Sequence, residues 1–115
     1  MIYKFSESAK KALESAEKLA KDLGNSYVGT EHLLYGLASE EGLANKVLKK
    51  KKIDKNLILN KIYSISNKNS NNVNRIQGFT QKTKKIIEYA YVQCEKIYLR
   101  SIGTEQLLLA ILNGK

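Results

Sequence analysis

Residues 6–39 recur at 80–113, displaced by 74 positions, and no other feature of the sequence restricts the possible folds as strongly. Phe5 answers to Phe79, Lys10-Lys11 to Lys84-Lys85, Glu14 to Glu88 and Ala16 to Ala90. Gly29-Thr30-Glu31 answers to Gly103-Thr104-Glu105, and Leu33-Leu34 to Leu107-Leu108, giving ten identities in the 35 aligned positions 5–39. A period this long marks a duplicated helical unit whose copies bury one another's apolar faces. Any site the unit carries is therefore expected twice.

The spacing of apolar residues predicts helices throughout. Ala9, Ala12, Leu13, Ala16, Leu19, Ala20 and Leu23 recur at three-to-four intervals, with Ser6 as N-cap and Gly24 as the stop, so the first helix is expected over about 7–23. Thr30 is expected to cap a second helix with Leu33, Leu34 and Leu37 on its apolar stripe. A third helix follows Gly42 through Val47 and Leu48, and Asp54 caps a fourth carrying Leu57, Ile58, Ile62 and Ile65. Residues 66–77, crowded with Ser and Asn and without periodicity, read as a linker between repeat one (1–65) and repeat two (78–115). In repeat two, Thr80 is expected to cap a helix with Ile86, Ile87, Ala90, Cys94 and Ile97 on one face, and Thr104 another with Leu107, Leu108, Ile111 and Leu112. The class is all-α, one domain of two pseudo-symmetric repeats of short packed helices.

Repeat two has no counterpart to the third and fourth helices, so it reads as incomplete. In repeat one, Leu43, Val47, Leu48, Leu57, Ile58, Ile62 and Ile65 are expected to cover the Leu33–Leu37 stripe. Leu107, Leu108, Ile111 and Leu112 lack that cover, which leaves packing against repeat one or self-association to shield them.

Composition narrows the chemistry. A chain of 115 residues has enough material for one modest core. Its single cysteine, Cys94, allows no internal disulfide and reads as a small core residue, and no Cys/His set has metal-ligand spacing. No apolar run is long enough for a membrane span and Met1–Lys11 lacks the form of a signal peptide, so a soluble, cytoplasmic protein without cofactors is expected. The net charge of +9 is uneven: residues 1–42 carry −2, 43–77 carry +8 and 78–115 carry +3. The cluster from Lys46 through Lys49–Lys52 to Lys61 has neither the arginines nor the interleaved aromatics that grip bases, and it reads as a solvated face rather than a nucleic-acid surface. Gly24–Thr30 imitates the glycine spacing of a phosphate-binding loop but lacks its lysine, and Glu31 stands where a hydroxyl is required, so no ATPase motif is present and no catalytic residue is assigned. His32 has no nucleophile in a recognisable motif and reads as a packing or hydrogen-bonding residue. Tyr89, Tyr91 and Tyr98 replace smaller or polar residues of repeat one, either to pack or to form an exposed patch.

Phe-Ser/Thr ahead of a long helix, then Gly-Thr-Glu-His and Leu-Leu-x-Gly-Leu, with the pattern occurring twice, resembles the Clp N-terminal repeat domain, most closely that of ClpC-type AAA+ unfoldases, the ATP-binding subunits of ATP-dependent Clp proteases. The resemblance spans essentially the whole chain and is most specific at Val28–Leu37. Departures are Ser6 in place of threonine, Gln106 for the second histidine, Ala110 for the second glycine, no proline after Thr80 and the missing end of repeat two. The resemblance implies a non-enzymatic module ahead of ATPase rings that lie outside this chain, binding substrate proteins and adaptor proteins for unfolding and proteolysis. It also implies recognition of phosphoarginine, whose guanidinium needs a carboxylate and whose phosphate needs anion donors. Matched by motif, Glu31 and Glu105 would take the guanidinium. Ser6, Thr80 and the adjacent helix-start amides would take the phosphate, with Thr30 and Thr104 as supporting helix starts. Ser, Thr and first-turn Glu are also what any helix start prefers, so plain capping accounts for the same residues. The alternatives are a nucleic-acid-associated helical protein using the Lys-rich middle, and a free-standing Clp-repeat protein without an ATPase.

Overall fold

The computed structural model describes residues 3–65 and 76–113. Six helices and two short strands follow in order: α1 (Glu7–Asp22), β1 (Tyr27–Val28), α2 (Thr30–Ser39), α3 (Leu43–Lys50), α4 (Lys55–Ile65), β2 (Gly78–Phe79), α5 (Gln81–Lys96) and α6 (Thr104–Asn113). The all-α expectation holds, and the helix limits fall within a residue or two of those read from periodicity.

Local chemistry explains most of these limits. The Ser6 hydroxyl oxygen accepts the Ala9 amide (3.1 Å), Thr80 Oγ1 accepts the Thr83 amide (3.2 Å) and Asp54 Oδ1 accepts the Leu57 amide (2.9 Å), each relieving an orphan donor of the first turn. Both long helices end in the same reverse turn. The Gly24 amide donates to Lys21 O and the Asn25 amide to Ala20 O after α1, and after α5 the Tyr98 amide donates to Glu95 O and the Leu99 amide to Cys94 O. This Schellman arrangement requires a left-handed residue, supplied by Gly24 (φ +79°) in repeat one and Tyr98 (φ +60°) in repeat two. Lys52 (φ +60°) does the same after α3.

Thr30 and Thr104 do not cap their own helices, as the sequence suggested; each is the first helical residue. In α2 the N-cap is Gly29. Thr104, 2% exposed, accepts the Ala44 amide on Oγ1 (3.2 Å) and so caps α3 of the other repeat. A side chain on Gly42 would crowd that hydroxyl, a Cβ there lying 2.9 Å from Thr104 Oγ1.

The core runs between the repeats. α1 packs on α2, α5 on α6, and α6 also touches α3, α2 and α1. Leu33, Leu37, Ile102 and Leu107 are fully buried. The α1–α2 approach is set by Gly36, where a Cβ would overlap the carbonyl oxygen of Ala12. Ala44, Leu48, Ile58 and Ile62 help close the core over α2, whereas Leu43, Val47 and Leu57, assigned the same task from sequence, are exposed. Short helices present too few turns for periodicity alone to separate the buried stripe from its margin. Ile97 is likewise corrected: it is the C-cap of α5 and 62% exposed.

The uncovered stripe of repeat two is in fact largely covered within the chain. Leu107 and Leu108 are buried and Ile111 packs partly against the core, while Leu112 stays in solvent. Cys94 is buried, and burial pushes its thiol pKa up. Most of the 66–77 linker lies outside the described residues; its end is already tied down, the Gln77 amide donating to Ser26 O at 2.7 Å.

Candidate functional site

The strands were not visible in the sequence, and they build the site. β1 and β2 pair in parallel, Tyr27 with Gly78 and Val28 with Phe79, and a separate parallel bridge joins Phe5 to Ile102. The 74-residue displacement converts Val28 into Ile102 and Phe79 into Phe5, so the two pairings are the same contact made twice. Each repeat lends its lead-in segment to the other. The Thr80 amide donates to Val28 O (3.0 Å) and the Ser6 amide to Ile102 O (2.9 Å). The cap residue of each long helix is thereby pinned directly ahead of the opposite repeat's Gly-Thr-Glu.

Ser6 and Glu105 accordingly share a cavity. Both line an open cavity of about 670 Å³, with Glu41, Lys46, Lys49, Thr104 and Gln106 among the other polar walls. The Ser6 oxygen accepts from Ala9, which leaves its hydroxyl proton free to donate. The Thr80 amide makes the equivalent backbone bond to Val28 O, three residues ahead of Glu31. Thr80 is also bonded to the Thr83 hydroxyl (2.8 Å).

The two glutamates adopt matching poses. A Cβ on Gly29 would lie 2.5 Å from Glu31 Oε1, and one on Gly103 would lie 2.6 Å from Glu105 Oε1. Each carboxylate folds back over the glycine at the start of its helix, where the dipole favours negative charge. Among the described residues neither glutamate forms an ion pair, and the only pair is the exposed Lys10–Glu7 contact at 3.5 Å.

Behind the glutamates stands a capping pair that sequence reading recorded as a departure rather than an equivalence. The Gly29 amide donates to His32 Nδ1 (2.8 Å) and the Gly103 amide to Gln106 Oε1 (2.7 Å). Histidine and glutamine at the third helical position thus do one job, closing the helix start from the inside. Because Nδ1 accepts, Nε2 carries the proton and donates to Asn25 Oδ1 at 3.2 Å. His32 is a hydrogen-bonding core residue, as expected.

Burial lowers the His32 pKa from its ordinary 6.5, and the neighbouring Glu31 charge opposes that shift without cancelling it. In the unfolded chain the ring takes its proton near 6.5, and in the folded chain only at lower pH. The neutral ring therefore contributes stability above pH 6.5 that is lost as pH falls from there through the lowered folded-state value. His32→Gln, which copies Gln106, is expected to fold normally and to remove this part of the acid sensitivity. Urea midpoints at about pH 7.5 and pH 5.5 check it: the variant loses less stability between them than the parent.

Comparison with known proteins agrees with this architecture. The chain matches the Clp repeat (R) N-terminal domain family over residues 4–115. It is 32% identical over 110 residues to the ATP-dependent Clp protease ATP-binding subunit ClpC of Staphylococcus aureus (strain USA300), covering 95% of this chain and 13% of that protein. It is 33% identical over 113 residues to the negative regulator of genetic competence ClpC/MecB of Bacillus subtilis (strain 168), covering 97% and 14%. The chain thus spans about one seventh of the length of these relatives. Among solved structures, the N-terminal domain of the chaperone ClpD from Arabidopsis thaliana superposes with TM-score 0.77 at 26% identity, covering 96% of this chain and 77% of that one. A ClpV N-domain solved in complex with a VipB peptide superposes with TM-score 0.75 at 20% identity, covering 96% and 68%, a likeness of fold.

Proposed function

The chain belongs to the Clp repeat N-terminal domain family, and from that premise we propose that it is the substrate- and adaptor-binding module of a Clp-type ATP-dependent unfoldase, recognising phosphoarginine on proteins marked for degradation. The observation that carries the finer part is the shared cavity. Ser6 and Glu105, from opposite repeats, face one space whose walls offer both signs of charge. Phosphoarginine carries a cation next to an anion. Glu105 suits the guanidinium, and the Ser6 hydroxyl, the α1 helix start and the Lys46 and Lys49 ammonium groups suit the phosphate. The Thr80–Glu31 half supplies the same residue types through the same strand exchange.

None of the reactions of an unfoldase is assigned to these residues; the role proposed is capture. No helix among the described residues is long and apolar enough to cross a membrane. Adaptor binding is supported by family membership and by the ClpV N-domain, a relative in fold that was solved holding a peptide.

Titration of phosphoarginine, followed residue by residue by NMR, tests the assignment. Shifts are expected at Ser6, Glu31, Thr80 and Glu105, with free arginine and inorganic phosphate each binding more weakly. Glu31→Ala with Glu105→Ala is expected to weaken binding at least about tenfold, some 1.4 kcal/mol, with the helices intact. Undiminished binding by the double variant, or a folded parent that ignores phosphoarginine, removes the assignment.

A further inference from the structure

The outer face of the α5–α6 pair is apolar where the matching face of repeat one is largely polar or covered. Tyr89 and Val92 of α5 and Leu109 and Leu112 of α6 are between 40% and 61% exposed. Displaced by 74 positions they answer to Ser15, Lys18, Tyr35 and Ala38, of which only Lys18 is exposed. The junction between the helices changes in the same sense. In repeat one Ser15 Oγ donates to Glu40 Oε2 (2.6 Å), whereas in repeat two Asn113 Nδ2 donates to the Tyr89 hydroxyl (3.3 Å), which brings the exposed stripes of α5 and α6 together. In repeat one α3 and α4 pack chiefly on α2 rather than on α1, so helices placed in that way would not cover Tyr89 and Val92. Four large apolar side chains on one face, unlike scattered single ones, mark an interaction surface.

The charges on this face indicate what it meets. Lys85, Glu88, Tyr89, Val92 and Lys96 follow helical spacing and form one exposed stripe of α5. Glu88 and Lys96 stand four residues, about 6 Å, to either side of Val92. A two-fold axis through Val92 lays α5 antiparallel on its own copy, which sets Glu88 opposite the copy's Lys96 and Lys96 opposite the copy's Glu88. Both pairs are of opposite sign. Lys85, seven residues from the axis, falls beyond the copy's α5, which ends at Lys96. Among the described residues neither Glu88 nor Lys96 is in an ion pair, so both are available to a partner. The face is complementary to itself in charge as well as in its apolar centre.

We propose that the α5–α6 face binds a second copy of this chain, forming a two-fold dimer with Val92 at its axis. Tyr89, Val92, Leu109 and Leu112 make the apolar centre, and two symmetry-related Glu88–Lys96 pairs fix the antiparallel register. α5 has 16 residues and is therefore about 24 Å long. With α6 beside it the footprint is about 500 Å² per copy, at the low end of specific interfaces, and the dimer is weak, dissociating on the order of 100 μM. The face shares no residue with the proposed phosphoarginine set, and the dimer does not depend on that reading.

Sedimentation equilibrium of the 115-residue chain, from about 10 μM to about 1 mM, tests the proposal across that dissociation constant. The mass is expected to rise from that of one chain toward that of two. Tyr89→Ser with Val92→Lys, which copies Ser15 and Lys18, is expected to remain monomeric with an unchanged melting temperature. Glu88→Lys and Lys96→Glu are each expected to weaken the dimer at least about tenfold, because either one sets like charges opposite each other twice. Mixed together, the two single variants are expected to pair as tightly as the parent does with itself, since every position then faces the opposite charge; fluorescence anisotropy with a label on one of them reads this. A merely adhesive apolar patch follows no such pairing rule. The proposal is overturned if the parent stays monomeric at the highest concentration, if the Tyr89→Ser, Val92→Lys variant or either charge variant dimerises like the parent, or if the mixed charge variants ignore each other. A monomeric parent that binds phosphoarginine sinks this inference and leaves the earlier reading standing, and a dimer that ignores phosphoarginine does the reverse.

Discussion

Gly36→Ala is expected to destabilise the domain by about 3 kcal/mol or more, against the direction that helix propensity alone would give. Alanine in a helix interior is favoured over glycine by roughly 0.5–1 kcal/mol. Here the added methyl meets the carbonyl oxygen of Ala12, a backbone atom that cannot rotate aside, so α1 and α2 must move apart. Their separation opens the layer holding Leu33 and Leu37, both fully buried. The packing effect exceeds the propensity effect severalfold, and the net sign is the discriminating result. Repeat two supplies its own control. Ala110 occupies the equivalent place in α6 and is already accommodated, buried at 1% exposure. Ala110→Gly is expected to lose only about 1 kcal/mol. Urea unfolding of both variants decides the matter; a Gly36→Ala domain as stable as its parent would mean that the α1–α2 contact is not as close as described.

Leu107→Ala is expected to destabilise by about 2–5 kcal/mol and to do so for both repeats at once. Leu107 is fully buried on a helix that touches α5 of its own repeat and α1, α2 and α3 of the other. Typical domain stability is about 5–15 kcal/mol, so the loss is a large part of the whole. Because strands and a cap are exchanged between the halves, neither repeat keeps its edges satisfied when the other melts. Circular dichroism and tyrosine fluorescence should therefore report one coincident transition in the parent and in the variant. Two separated transitions would contradict the mutual dependence of the repeats.

Much of this architecture was legible in the residues, and the limits of that legibility have physical causes. Ser6, Thr80 and Asp54 were readable as caps because an N-cap acts on amides two or three positions ahead, well within reach of a local pattern. Thr104 was misread for the opposite reason: its hydroxyl serves Ala44, 60 residues away in sequence, and no local pattern encodes that. The equivalence of His32 and Gln106 was masked because the two side chains share an acceptor position rather than a residue type. Pairings of two residues, such as Val28 with Phe79, are too short to leave an alternating signature. The candidate site divides along the same line. Ser6, Glu31, Thr80 and Glu105 were singled out residue by residue from the doubled motif, which says that a site should occur twice but not which helix cap stands with which glutamate. The exchanged strands put Ser6 and Glu105 on one cavity, so the candidate site combines half of one repeat with half of the other.

That exchange places the chain in the geometry of an isologous dimer. In a two-fold association the same patch meets itself, residue i touching j while j touches i, and here Phe5 to Ile102 and Phe79 to Val28 obey that rule within one polypeptide. Joining the two partners covalently replaces a bimolecular encounter with an intramolecular one at an effective concentration on the order of millimolar, so assembly no longer depends on how much protein is present. It also frees the halves from identity. Two unlinked copies must carry the same side chains at every symmetric position, whereas a fused pair can hold glycine at 24 and tyrosine at 98, or histidine at 32 and glutamine at 106. Two-fold structure is retained while two-fold chemistry is released, and one molecule can then offer different surfaces on its two sides.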